Sequence, residues 1–138
     1  MFKILSIITI SAFIVHSFNS LNGQWKLFQY RDCIVNSVIN EPCDLHKSIE
    51  VGLKTVHDSG TIKGHTISNE IVGRYILYNN NKIRVFSFGG TKVGEGTEWG
   101  AAFWSAMPRA SSYNIKKDTL FLNYENDKKV MVFIKIKK

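Results

Sequence analysis

Residues 60–75 read Gly-Thr-Ile-Lys-Gly-His-Thr-Ile-Ser-Asn-Glu-Ile-Val-Gly-Arg-Tyr, and no other stretch narrows the fold as much. Apolar side chains alternate there between Gly60, Gly64 and Gly73, with Asn69 and Tyr75 at fixed offsets. Two strands meeting at a tight turn need that combination. Gly64 and Gly73 can take positive φ or let backbones approach closely, and Asn69 tolerates the left-handed region. The stretch has no nucleophile paired with a base and no set of metal ligands. It specifies a shape, not a reaction.

The ends say where the folded part begins. Met1-Phe2-Lys3 is a short positive start, residues 4–15 are almost unbroken apolar sequence, and His-Ser-Phe-Asn-Ser follows. That order reads as a secretory signal peptide over residues 1–20, because the apolar run is too short to cross a bilayer. Cleavage is expected before Phe18, with Val15 and Ser17 as the small flanking residues, or before Leu21. The mature domain is then residues 21–138, about the size of one domain with one core. No later stretch reads as membrane-spanning, so the expected location is the periplasm or the exterior.

Export changes how the cysteines and the charge are read. The chain has two cysteines, Cys33 and Cys43. In an oxidising compartment one disulfide between them is the simplest expectation, closing a mostly polar segment with little periodicity. The formal charge is +7. Such a balance suits an anionic partner. The lysines, however, are scattered, as on the outer faces of strands kept soluble and unpaired. Export argues against a nucleic-acid role.

Strand signals recur along the chain. Trp25 and Leu27 alternate with Lys26 and Phe28 after Asn22-Gly23, with Gln29 continuing the inward set and Tyr30 the outward one. Residues 48–56, 61–66, 71–78 and 83–88 follow with a period of two. Three asparagines at 79–81 mark a hairpin. Thr97 caps a helix that Pro108 stops, with Trp99, Phe103 and Met107 on one face and Ala102 and Ala106 beside them. Gly100 weakens that helix by roughly 1 kcal/mol. Tyr113 to Ile115, Leu120 to Tyr124 and residues 130–136 return to strands. The expectation is a mostly β, α+β domain: a small antiparallel curved sheet or barrel of about eight strands with one late helix.

These residues resemble a known family. Leu21, Gly23, Trp25 and Leu27 match the opening Leu-x-Gly-x-Trp-x-Leu of META domains, the family of HslJ-like exported envelope proteins. Gly64, Asn69, Gly73 and Tyr75 match its central pattern, and Glu98, Phe103 and Met107 its late helix. Ile67-Ser68 stands where the family has Gly-Cys, and the Cys33–Cys43 segment is an insertion. The resemblance implies a β-rich exported domain without established catalysis, tied to envelope or stress roles.

Candidate sites are few. His57-Asp58-Ser59 suggests a triad, but neighbours in a turn point apart and no Gly-x-Ser-x-Gly is present. His46, His57 and His65 lack metal-ligand spacing. The Gly89–Gly96 segment lacks the Gly-Lys-Ser/Thr ending of a phosphate loop and reads as a connection that could gate a barrel mouth. Glu95 and Glu98 read as helix-start charges rather than the opposed carboxylates of glycoside chemistry. Trp104 falls off the helix stripe and, beside Arg109, is the candidate binding surface.

The expected function is therefore non-enzymatic. The domain is read as a monomer that binds a secreted protein or envelope component, lipid included, and that needs no cofactor or metal. The alternative is a lipocalin-like carrier holding a small apolar ligand inside a barrel.

Overall fold

A computed structural model describes residues 20–137. Residues 1–19, which carry the signal-peptide expectation and the cleavage position before Phe18, lie outside the described residues. The elements run β1 (Gly23–Asp32), β2 (Ser37–Asn40), β3 (Glu50–Val56), β4 (Ser59–His65), β5 (Glu70–Tyr78), β6 (Lys82–Gly90), α1 (Glu98–Ala106), a 3-10 turn (Met107–Arg109), β7 (Ala110–Lys116), β8 (Thr119–Tyr124) and β9 (Lys129–Lys135). Every strand pairing is antiparallel, and β1 also pairs with β9, so β1 and β3 to β9 close an eight-stranded barrel. No described helix is long and apolar enough to cross a membrane.

Tight turns join most of the strands, and Asn, Asp or His occupies most of their left-handed positions. Asn80 (φ 63°) and Asn81 (φ 55°) turn β5 into β6, as the asparagine run predicts. His57 (φ 59°) turns β3 into β4, and Lys117 (φ 54°) turns β7 into β8. Asn69 is not among the positive-φ residues; its role is carried by its side chain, described below. Gly64 and Gly73 also lack positive φ and serve close approach instead. A Cβ on Gly64 would lie 2.0 Å from the Glu50 carbonyl oxygen, and one on Gly73 2.8 Å from that of Ser87.

The interior is filled. Trp25, Leu27, Ile62, Tyr75, Met131 and Phe133 are each buried to within 1 % of full exclusion. The Tyr75 ring lies across Gly60, where a Cβ would sit 2.1 Å from Cζ, and its hydroxyl meets Thr55 Oγ1 at 2.6 Å. Trp25 Nε1 donates to the Leu21 carbonyl at 2.8 Å. The cavity left between Val51, Ile62, Tyr75, Leu120 and Phe133 is about 10 Å³, room for one water at most. A carried apolar ligand has no seat inside the barrel as it is folded.

The first strand departs from simple alternation. A bulge between Leu27 and Gln29 shifts the phase, so Tyr30 turns inward rather than outward. Its hydroxyl donates to the Trp99 carbonyl at 2.8 Å and its ring meets the Trp99 ring edge-on at 4.7 Å, docking α1 over one end of the barrel. Burial pushes the Tyr30 phenol well up, with Tyr124 adding to it. Trp99, Phe103, Ala106 and Met107 are buried as the helical period requires, whereas Ala102 is exposed.

The expected disulfide is absent: Cys33 and Cys43 are free and exposed. The segment between them is a hairpin strand. β3 leaves β1 after Lys26, and β2 takes up the vacated edge, pairing Gln29 with Asn40 through Asp32 with Ser37. Cys33 stands at the turn end of this ribbon and Cys43 beyond Glu41 at the other end. A rise of about 3.3 Å per residue puts them well past the roughly 7 Å Cα reach of a disulfide.

Candidate functional site

The barrel wall is thinnest between β6 and β7, where Lys82 and Ser112 form the one registered pair. The chain leaves β6 at Gly90, runs through residues 91–97 and returns by α1, so helix and loop cover the rest of the β6 edge. Thr97 caps the helix by accepting from the Gly100 amide at 3.1 Å. Between this loop, the end of β6 and the helix lies a solvent-open cleft of about 590 Å³. Phe88, Trp104, Ala101 and Pro108 give it an apolar floor, and Thr91, Lys92 and Glu95 lie along its loop side.

A side-chain network holds the loop where no strand ladder does. Asn69, 5 % exposed at the β4–β5 turn, donates from Nδ2 to the Val93 carbonyl at 2.7 Å and accepts on Oδ1 from the Val93 amide at 2.8 Å. Its amide thus pairs with Val93 as a peptide group would. Oδ1 also accepts from Thr91 Oγ1 at 2.9 Å, and Nδ2 also donates to Glu95 Oε1 at 2.9 Å.

Glu95 is the hub. Its Oε1 accepts from Thr66 Oγ1, Asn69 Nδ2 and, at 2.8 Å, Trp104 Nε1. Its Oε2 is sealed from solvent beside Gly100, where a Cβ would come within 2.6 Å. That contact explains a glycine inside the helix. Burial pushes the Glu95 carboxyl up, but hydrogen bonds from Thr66, Asn69, Trp104 and the Ser68 backbone outweigh it. The group therefore titrates below its ordinary 4.5 and stays a carboxylate.

The aromatic floor is anchored to the same hub through Trp104. Trp104 packs on Phe88 with ring centroids 5.1 Å apart, and Phe88 meets Phe103 edge-on at 5.8 Å. Gly90 allows the approach of β5 and Trp104, since a Cβ there would lie 1.8 Å from the Glu70 carbonyl oxygen and 3.1 Å from Trp104 Cη2.

The predicted binding pair is separated. Trp104 is half-buried in the cleft floor, while Arg109 turns to Ser105 and to Glu125, at 2.5 Å, and is not in the lining. Trp25, Gly64, Gly73 and Tyr75 are core and close-approach residues, and Asn69 alone of that motif reaches the cleft. Glu98 is the exposed first-turn charge of the helix, as expected, whereas Glu95 lies in the loop and is drawn into the network. His65 faces Glu50 at 3.0 Å. Among the described residues no group of His, Cys, Asp or Glu is disposed to hold a metal. Sequence reasoning missed Thr66 and the central role of Glu95; the unexplained glycine at 100 was the available signal.

The cleft can bury a side chain or short segment of a partner against a fixed aromatic floor. The Thr91 hydroxyl is engaged by Asn69 and by the Glu70 amide, and the lining carries no Ser, Cys or His to act as nucleophile or base.

No family model matches the chain, and no curated protein matches it. Two solved structures share the fold. One is a protein from Burkholderia xenovorans solved by NMR, 17 % identical, with a TM-score of 0.66 over 85 % of this chain and 83 % of that one. The other is a DUF4847 family protein from Bacteroides vulgatus, 16 % identical, with a TM-score of 0.60 over 85 % of this chain and 94 % of that one. At these identities the likeness is one of fold: a closed antiparallel β-barrel with one short helix.

Proposed function

We propose that this protein is a non-enzymatic, exported binding domain of META type, which engages a protein or envelope component through the Phe88–Trp104 cleft. The observation that carries the reading is the aromatic floor braced by Glu95 and Asn69. A preorganised apolar surface binds without first having to be ordered. The lining supports binding over turnover because Asn69, Thr91, Glu95 and Trp104 already engage one another. The apolar start of the chain and the META-like spacing of Trp25, Gly64, Gly73 and Tyr75 support the exported, envelope-associated setting.

The test is comparative capture from envelope extracts. Ala101 is exposed on α1 and lines the cleft, so Ala101→Arg fills it without touching the core. A partner held by the wild-type protein and lost from the A101R protein supports the reading. Equal capture by both, or turnover of a substrate by the wild type, overturns it. The carrier alternative would now have to use this open cleft. Native mass spectrometry of freshly purified protein would then show a co-purified lipid-sized mass.

A further inference from the structure

The outer face of β3 to β6 carries a second surface, remote in composition from the cleft. The strand registers lay its residues out in lateral rows. Lys54 pairs with Thr61, Thr61 with Arg74, and Arg74 with Ser87. The adjoining row is Gly52, Lys63, Val72 and Gly89. Lys54, Lys63 and Arg74 are exposed, and none of them forms an ion pair with any described residue. Within the strands the acids stand at the far end, where Glu50 and Glu70 flank His65 and Glu50 is bound to it, and Asp58 lies in the β3–β4 turn at the near end.

Apolar side chains project among these cations. Val56 is 58 % exposed, Val72 57 % and Phe86 48 %. Phe86 is outward for a definite reason. Arg74 pairs with Ser87 and Tyr75 with Val85, so Phe86 is the extra residue of a bulge. The small residues Gly60, Thr61 and Ser59 leave a hollow of about 500 Å³ that Lys54, Lys63, Arg74, Val56 and Phe86 surround.

Unpaired cations around protruding aliphatic and aromatic groups match the interface of an anionic bilayer. Headgroup phosphates neutralise the cations while Val and Phe tips enter the acyl boundary. A soluble acidic chain would satisfy the cations but leave Val56, Val72 and Phe86 wet. We propose that the β3–β6 face binds the surface of a membrane rich in anionic phospholipid, with Lys54, Lys63 and Arg74 as headgroup contacts and Phe86 as the inserted side chain. The proposed contacts, Lys54, Lys63, Arg74 and Phe86, are not in the lining of the cleft.

The experiment is co-sedimentation of the purified protein with vesicles of equal parts phosphatidylcholine and phosphatidylglycerol, and with phosphatidylcholine alone. Every variant is compared at the same N-terminus, read by mass, and with a native near-UV spectrum. Expected results are binding to the anionic vesicles only, falling with salt, and about a hundredfold loss in the Lys54→Glu/Lys63→Glu/Arg74→Glu protein. A control with the same charge change outside the face, Lys47→Glu/Lys116→Glu/Lys128→Glu, should lose no more than a few-fold, since Lys47 precedes β3, Lys116 ends β7 and Lys128 lies in the β8–β9 turn, and salt screens charges that are not at the contact over about 10 Å. Phe86→Ser should weaken binding without altering its salt dependence, and A101R should bind as wild type. Equal losses in the two triple variants, binding to neutral vesicles, or equally tight binding to polyglutamate would each overturn the proposal.

Discussion

The β3–β5 wall and the β6–β7 seam solve the same problem with different parts. In the wall, unbroken registers from Glu50–His65 to Val56–Ser59 and from Ser59–Ile76 to His65–Glu70 let backbone hydrogen bonds close the barrel. At the seam one registered pair remains, helix and loop cover the rest of the β6 edge, and Asn69, Thr66 and Glu95 pin that loop to the β4–β5 turn with side chains. A wall made of backbone depends on side-chain bulk staying out; a seam made of side chains depends on specific atoms being present. The cleft opens beside this loop, where no strand ladder fills the space.

The sharpest way to break the comparison is to put bulk into the wall. Gly64→Val would drive a side chain into the Glu50 carbonyl, and is expected to cost more than about 4 kcal/mol or abolish folding, checked by urea unfolding. A loss under about 1 kcal/mol would mean the wall yields as easily as a loop.

At the seam, Asn69→Ala removes the amide pair with Val93 and strands Glu95 and Thr91. A loss of about 3 kcal/mol is expected, with hydrogen exchange at residues 91–95 rising more than in β4. Uniform exchange changes would make the seam part of the general core.

Glu95→Gln keeps the shape but cannot accept all its donors, and about 2 kcal/mol should be lost at neutral pH. The sign with pH follows from the lowered folded value. The carboxylate stabilises the fold above its unfolded pKa near 4.5 and loses that contribution as pH falls through the lower folded one. The gap between wild type and E95Q should therefore narrow below about pH 4.5, in melts taken across that range.

Gly100→Ala would stabilise an ordinary helix by about 1 kcal/mol. Here its Cβ meets Glu95 Oε2, so it should destabilise, and the sign should reverse in a Glu95→Ala background. The smallest effect belongs to Cys33→Ser and Cys43→Ser, each expected within about 0.5 kcal/mol, with thiol titration finding both groups free in the native protein.

Much of the wall was legible beforehand. Alternation over residues 48–56, 61–66 and 71–78 corresponds to strands, and the asparagine run to a left-handed turn. Thr97 was legible as a cap because capping is decided within one turn of chain. The phase error at Tyr30 arose because a bulge leaves no mark in composition. β2 was read as a disulfide loop because a short, wholly exposed strand has no buried face to impose a period. Of the cleft, the helical period singles out Trp104, while Arg109 lies outside the lining and Glu95 is a hub rather than a helix-start charge.

Short-range steric and hydrogen-bonding preferences act between residues a few positions apart. They alone fix where this chain turns, where it alternates and where its helix begins. Which carboxylate becomes a hub is decided across 26 to 29 residues, where Glu95 meets Asn69 and Thr66 only after the barrel has closed. The same holds for the cysteines. Ten positions apart in the chain, they are parted by the hairpin between them, because the edge that β3 vacates is filled by the chain linking them.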